Sequence, residues 1–243
     1  MKSNLKNEFA LVTGASSGIG RAVAVGLAKQ GAEVALMARN SDALHKTQAL
    51  CKEVNSSGKY PCFSFDLTEI DQIPKQVEKI TQSLGKLSIL INNAGKSNRA
   101  LVQEAELERW DKVMDLNLRS MIHLTRYCLP ELLKNSWGGI VNIASISGKL
   151  TQKSHAIYTA TKHGVMGFTG SLYEDVREKN IKVSAICPGF VDTPLVSKAN
   201  LVRERMIQPE DVSDTVNFIL MMENTACPVE IILRPQRTPY PDA

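Results

Sequence analysis

Aromatic side chains are scarce in this chain, with Phe, Trp and Tyr making up 5% of its 243 residues. No cluster of basic residues with aromatics between them occurs, and the formal net charge is a mild +4. Nucleic acid is therefore not expected as a partner. No run approaches the ~18 apolar residues of a membrane helix, so no membrane partner is expected either. The first residues carry Lys2, Lys6 and Glu8 without an apolar core of signal length. The five cysteines, Cys51, Cys62, Cys128, Cys187 and Cys227, are odd in number and form no Cys-x-x-Cys. That argues against a disulfide framework and a zinc site, so no metal is expected, and reduced thiols in the cytoplasm fit best. Linkers, repeats and charge blocks are missing too. One domain over residues 1–243 is the expectation.

What is present is alternation. Short apolar runs at 9–13, 33–38, 60–65, 87–91, 139–144, 182–187 and 229–233 read as strands, with helical segments between them. The long helices fall at about 107–134 and 155–179. This order predicts an α/β, doubly wound, Rossmann-type sheet of seven parallel strands with helices on both faces.

The first strand runs straight into Thr13-Gly14-Ala15-Ser16-Ser17-Gly18-Ile19-Gly20, and a helical pattern follows. Strand, glycine turn and helix are what a nucleotide-binding βαβ unit needs. Gly14 would turn the chain, Gly18 would admit a pyrophosphate, and Gly20 would let the helix approach the sheet. The helix N-terminus offers N–H groups to phosphate, with the Ser16 and Ser17 hydroxyls beside them. The spacing is Gly-x3-Gly-x-Gly, a longer turn than Gly-x-Gly-x-x-Gly. The second strand ends in Ala38-Arg39, with no acidic residue before Asp42. An arginine there suits a 2′-phosphate, which favours NADP(H) over NAD(H). Farther on, Tyr158 and Lys162 stand four residues apart, on one face of a helix. A phenol is a poor acid or base at neutral pH, and a lysine charge nearby would draw its pKa toward the working range.

These motifs, with Asp66-Leu67, Asn92-Asn93-Ala94-Gly95, Ser145 and Pro188-Gly189 in order after successive strands, resemble the short-chain dehydrogenase/reductase family in its compact NADP-dependent branch. The resemblance covers roughly residues 8 to 233. It implies catalytic roles for Asn117, Ser145, Tyr158 and Lys162. Tyr158 would give the proton and Ser145 would hold the carbonyl oxygen. Lys162 would also hold the nicotinamide ribose, and Asn117 would hold a water joining Lys162 to solvent. Cofactor contacts would come from Gly14, Ser16, Ser17, Gly18, Ile19, Gly20, Arg39, Asp66, Leu67, Asn93, Ala94, Gly95, Tyr158, Lys162, Pro188, Gly189, Val191 and Thr193. The implied activity interconverts a small carbonyl compound and a secondary alcohol. The alternatives are a 3-oxoacyl-[acyl-carrier-protein] reductase and a non-catalytic NADP(H)-sensing regulator. The family also implies a homodimer or homotetramer through the two long helices, and the apolar residues within 107–134 outnumber what one sheet contact requires.

No glycine follows Gly189, so the Gly-Gly pair after the last strand of many relatives is missing. That departure counts against the carrier-protein reductase and resembles small alcohol dehydrogenases acting on hydroxy acids and other small carbonyl compounds. Residues 194–208 should form a short substrate lid, with Leu195, Val196, Leu201 and Met206 apolar and Lys198, Arg203 and Arg205 available to an anionic group. The proline-bearing tail, 234–243, should be extended and could cross a subunit interface.

Overall fold

The computed structural model describes residues 2–196 and 200–241. Seven strands form one parallel sheet: β1 (Phe9–Thr13), β2 (Glu33–Ala38), β3 (Cys62–Ser64), β4 (Ile89–Asn92), β5 (Gly138–Ile143), β6 (Ile181–Pro188) and β7 (Glu230–Leu233). Their order is β3-β2-β1-β4-β5-β6-β7, the doubly wound arrangement that the alternating pattern predicts.

Every residue of β5 and β6 is buried, as expected of strands covered on both faces, where apolar runs need not alternate with polar ones. The alternation shows instead in which core each side chain enters. Ala10, Val12, Val34, Leu36, Ile89 and Ile91 join one core, under α1 (Gly18–Lys29), α2 (Ser41–Val54) and α7 (Pro209–Met221). Leu11, Ala35, Met37 and Leu90 join the other, under α3 (Ile73–Leu84), α5 (Ser120–Leu132) and α6 (Ala156–Val176). Successive side chains of a strand point to opposite faces, so one apolar run serves two helical layers.

Two expected elements differ in detail. The strand expected at 60–65 is regular only over Cys62–Ser64. Before it, Lys59 and Pro61 accept from the N–H groups of Val34 and Leu36, but proline has no N–H to return, which suits this edge position. The helix expected at 107–134 is α4 (Leu107–Met114) joined to α5 by a π-helical segment, Asp115–Arg119. Asn117 sits in that segment, buried.

Candidate active site

The carboxyl ends of β1, β4, β5 and β6 open into one cleft of about 1210 Å³, at the switch point between β1 and β4. Such a volume exceeds the ~300–1,000 Å³ of most small-molecule pockets, leaving room for a dinucleotide and a second reactant. Of the residues the motifs single out, Gly14, Ser16, Ser17, Gly18, Ile19, Arg39, Asp66, Leu67, Asn93, Ala94, Gly95, Ser145, Tyr158, Lys162, Pro188, Gly189, Val191 and Thr193 line it; Gly20 and Asn117 do not.

The glycine turn is held by close packing. Gly14 has φ +65, and a Cβ there would lie 2.7 Å from Asn93 Nδ2. A Cβ on Gly20 would lie 2.3 Å from the Gly14 carbonyl oxygen, so Gly20 serves the turn from behind rather than from the cleft. Thr13 ties the turn to the sheet, its hydroxyl donating to Ile91 O and accepting from the N–H groups of Asn93 and Ala94. Arg21 adds a brace from α1, donating to Ser16 O and Thr47 Oγ1. No side chain caps the N-terminus of α1, and no acidic residue stands in its first turn. Its first N–H groups lack helical partners, and the positive end of the helix dipole favours an anion there.

At one end of the cleft Arg39, 74% exposed along its side chain, lies 3.6 Å from Asp66. Burial alone would raise the Asp66 pKa, but hydrogen bonds from Thr68 and the Arg39 charge bring it below the ordinary carboxylate range. Lys96 also lines this cleft, and burial, then repulsion from Arg39 and Lys112, lowers its pKa. The sequence reading passed over Lys96, although it directly follows Asn92-Asn93-Ala94-Gly95.

At the other end stand Ser145, Tyr158 and Lys162. Ser145 Oγ accepts the N–H of Ser147 at 3.1 Å, which leaves its proton free to donate. The Lys162 ammonium donates to Ile143 O at 2.9 Å and lies 5.7 Å from the centre of the Tyr158 ring. Burial draws the Lys162 pKa down to about 8, with Cys187 opposing. The Tyr158 pKa is raised: burial raises it, and a hydrogen bond from Ser145 only partly offsets this. In the free protein the phenol pKa is thus moved up rather than down, because desolvation dominates and the Lys162 ammonium is turned to the Ile143 carbonyl.

Asn117 lies behind this group. Its amide donates to Lys96 O at 2.8 Å and to Thr161 Oγ1 at 3.3 Å, and its carbonyl oxygen accepts from Lys96 N at 2.9 Å. The carboxamide is thereby committed to the protein, and it fixes the segment after β4. Beneath the site runs a buried chain in which Asn92 donates to Asn142 and Thr125, and Asn142 donates to Thr169. No spacing rule announces such a network; only the pairing of β4 with β5 brings Asn92 beside Asn142.

The lid differs most from expectation. Leu195 and Val196 line the cleft, whereas Leu201, Met206, Arg203 and Arg205 do not. Arg203 is bound to Asp192, and Arg205 lines a separate, smaller cavity. Lys198 lies outside the described residues. The tail turns back on its own chain: Val202 N donates to Pro239 O, and the Tyr240 ring meets Phe190 edge-on at 5.7 Å.

Residues 8–204 match the family model of the short chain dehydrogenases. The chain belongs to this family. This short-chain dehydrogenase is 33% identical over 233 residues to an uncharacterized oxidoreductase of Staphylococcus epidermidis, covering 96% of this chain and 99% of that one. Its fold is similar to that of a short-chain type dehydrogenase/reductase from Mycobacterium marinum, with TM-score 0.87, 26% identity and 96% of each chain covered. A carveol dehydrogenase from Mycobacterium avium, in complex with NAD, has TM-score 0.88 at 21% identity, covering 96% of this chain and 98% of that one. The chain is thus an oxidoreductase, and its family implies a nicotinamide cofactor. The residues present fit such a group, since the glycine turn leaves space where side chains would intrude and the uncapped end of α1 suits a pyrophosphate. Among the described residues no helix is long and apolar enough to cross a membrane.

Proposed function

We propose that this short-chain dehydrogenase is an NADP(H)-dependent enzyme interconverting a carbonyl and a secondary alcohol, with Tyr158 as its acid/base. The supporting observation is that Ser145, Tyr158 and Lys162 share one cleft with the uncapped N-terminus of α1. When bound, the nicotinamide supplies or accepts the hydride. In the reductive direction Tyr158 gives its hydroxyl proton to the carbonyl oxygen, and the Ser145 hydroxyl donates to that oxygen as negative charge develops. Burial keeps Tyr158 protonated until then, the state a proton donor needs. Lys162 would turn from Ile143 O to the nicotinamide ribose, and its charge there would favour the phenolate left after transfer. The dinucleotide would be held by Gly14, Ser16, Ser17, Gly18 and Ile19 at its phosphates, by Asp66, Leu67, Asn93, Ala94 and Gly95 along β3 and β4, and by Pro188, Gly189, Val191 and Thr193 after β6.

The preference for NADP(H) rests on Arg39, with Lys96 as a second cation at the same end. A second copy would pack on the two long helical segments, α4–α5 and α6; Leu107, Met114 and Tyr127 of the first, and Leu133 just after it, are exposed. Replacing Tyr158 by Phe should lower kcat by ~10²–10⁴-fold and leave the NADPH dissociation constant unchanged; normal turnover in that variant would remove the acid/base assignment. Arg39→Ala should shrink the preference for NADPH over NADH by about fivefold, the scale of one exposed ion pair. Equal affinities in the parent would remove the argument from Arg39.

A further inference from the structure

The glycine turn is held from its far side by two residues that do not line the cleft. Ala15, fully buried, offers its carbonyl oxygen to the Thr47 hydroxyl at 2.9 Å. The next carbonyl, that of Ser16, accepts from a terminal nitrogen of Arg21. The Nε of the same guanidinium donates to Thr47 Oγ1 at 3.2 Å. The hydroxyl therefore accepts from Arg21 and has one proton to give. Ala43 O, one turn back on α2, is the farther of its two acceptors, at 3.2 Å. Arg21 and Thr47 come from two helices and stand 26 residues apart. Ser16 and Ser17 line the cleft, and Ala15, Arg21 and Thr47 do not.

Peptide geometry turns this brace into an aim. In a planar trans peptide, the C=O of one residue and the N–H of the next point in opposite directions. Drawing the Ala15 carbonyl toward Thr47 swings the Ser16 N–H the other way. Drawing the Ser16 carbonyl toward Arg21 does the same for the Ser17 N–H. Ala15 N, one residue earlier, is tied to Met37 O at 3.2 Å, while the N–H groups of Ser16 and Ser17 have no partner among the described residues. The turn thus fastens its first N–H to the sheet and keeps the next two. Successive N–H groups in such a turn form the kind of concavity that takes a phosphate.

We propose that Arg21 and Thr47 are positioning residues of the cofactor site. By holding the Ala15 and Ser16 carbonyls away from the cleft, they aim the N–H groups of Ser16 and Ser17 at the pyrophosphate of the dinucleotide. The proposal rests on the nucleotide-binding part of the reading above and holds for either nicotinamide nucleotide, since both carry the pyrophosphate. Each residue acts through the main chain. Two other tasks would leave different traces. A guanidinium acting by its charge alone would not need Thr47. A Thr47 hydroxyl bonded only to Ala43 O, within its own helix, would not need Arg21.

The test is fluorescence titration of the cofactor-free protein with NADPH and with NADH, and competition by adenosine and 2′-AMP, which lack the pyrophosphate. The variants are Thr47→Val, Thr47→Ser, Arg21→Met and the double Arg21→Met/Thr47→Val, with circular dichroism to show that each is folded; Thr47→Ala replaces a Thr47→Val that is not. Thr47→Val removes the hydroxyl without touching charge. It should weaken NADPH and NADH by the same factor, about 10-fold, the scale of one hydrogen bond to a charged group. Adenosine and 2′-AMP should bind as in the parent. Arg21→Met should repeat this pattern, and Thr47→Ser, which keeps the hydroxyl, should bind as the parent does. The double variant should lose less than the product of the two single losses, because both residues hold one turn. Normal dinucleotide binding in Thr47→Val overturns the proposal. So does a loss that falls equally on 2′-AMP, which would mark a disturbed α2 rather than a misdirected turn. Losses that multiply in full would leave Arg21 acting by charge, independently of Thr47, and overturn it too. Equal affinities for NADPH and NADH in the parent would remove only the NADP(H) preference, and the same variants would still decide the brace. A parent that binds neither dinucleotide overturns both.

Discussion

The two ends of the cleft are made differently. The cofactor end is a junction of strands and helices, where backbone packs on backbone. Its glycine turn is wedged between Asn93 and the start of α1, with contacts that leave no space for a methyl group. The Tyr158 end is assembled from three connecting segments, 96–100, 146–155 and 189–196, joined by scattered backbone hydrogen bonds such as Ala100 N to Ser154 O and by side-chain contacts such as Arg99 to His155 and Phe190 to Tyr240. The first end tolerates little change because any change moves the sheet. The second can change its chemistry residue by residue, which is how one fold serves many substrates.

That contrast can be broken most directly at Gly20. A Cβ 2.3 Å from the Gly14 carbonyl oxygen must displace either the turn or the helix end. At a cost of ~3 kcal/mol, Gly20→Ala should weaken NADPH binding by on the order of 100-fold, read by fluorescence titration, while circular dichroism still shows a folded chain. Near-normal affinity would mean that the cofactor end is softer than its packing implies.

Lys162 tests a different cost of the same end. Its pKa falls from 10.5 to about 8 through burial, a penalty on the order of 3 kcal/mol while the group is charged. The unfolded chain holds this proton up to about pH 10.5 and the folded chain only to about 8. Stability from this group is therefore lowest below pH 8 and recovers as pH rises through that window. Lys162→Met should abolish turnover yet raise the melting temperature of the cofactor-free protein by about 5 °C at pH 7, and by less at pH 9.5. A gain that does not shrink with pH would trace to packing instead.

The smallest effect is expected at the substrate end. Tyr240→Ala removes an edge-on ring contact worth ~0.5–1.5 kcal/mol, from a residue that is itself half exposed. KM for the carbonyl substrate should rise about two- to fivefold, with the NADPH dissociation constant unmoved. A change in both would show that the tail supports the whole cleft rather than its wall.

Legibility followed the same division. Strand, turn and helix around Gly14, the Tyr158/Lys162 pair four residues apart and the alternation of seven strands with helices are local patterns, and local patterns survive in a sequence. The Arg99–His155 contact joins residues 56 apart, and the Asn92–Asn142 bond joins residues 50 apart. Both depend on which strands become neighbours, and no periodicity records that. Arg203, expected to be available to an anionic group, misled for a related reason. Spacing brings Arg203 near the cleft in sequence, but Asp192 claims it in space. The Tyr158 pKa was legible in its participants and not in its direction, since the direction depends on how much water the fold removes.

The returning tail bears on how copies of this protein influence one another. Phe190, Tyr240, Val202 and Pro239 belong to the same polypeptide, so each molecule closes its own substrate wall. Loss of the Tyr240 ring from one copy should therefore loosen the Phe190 wall of that same copy's cleft.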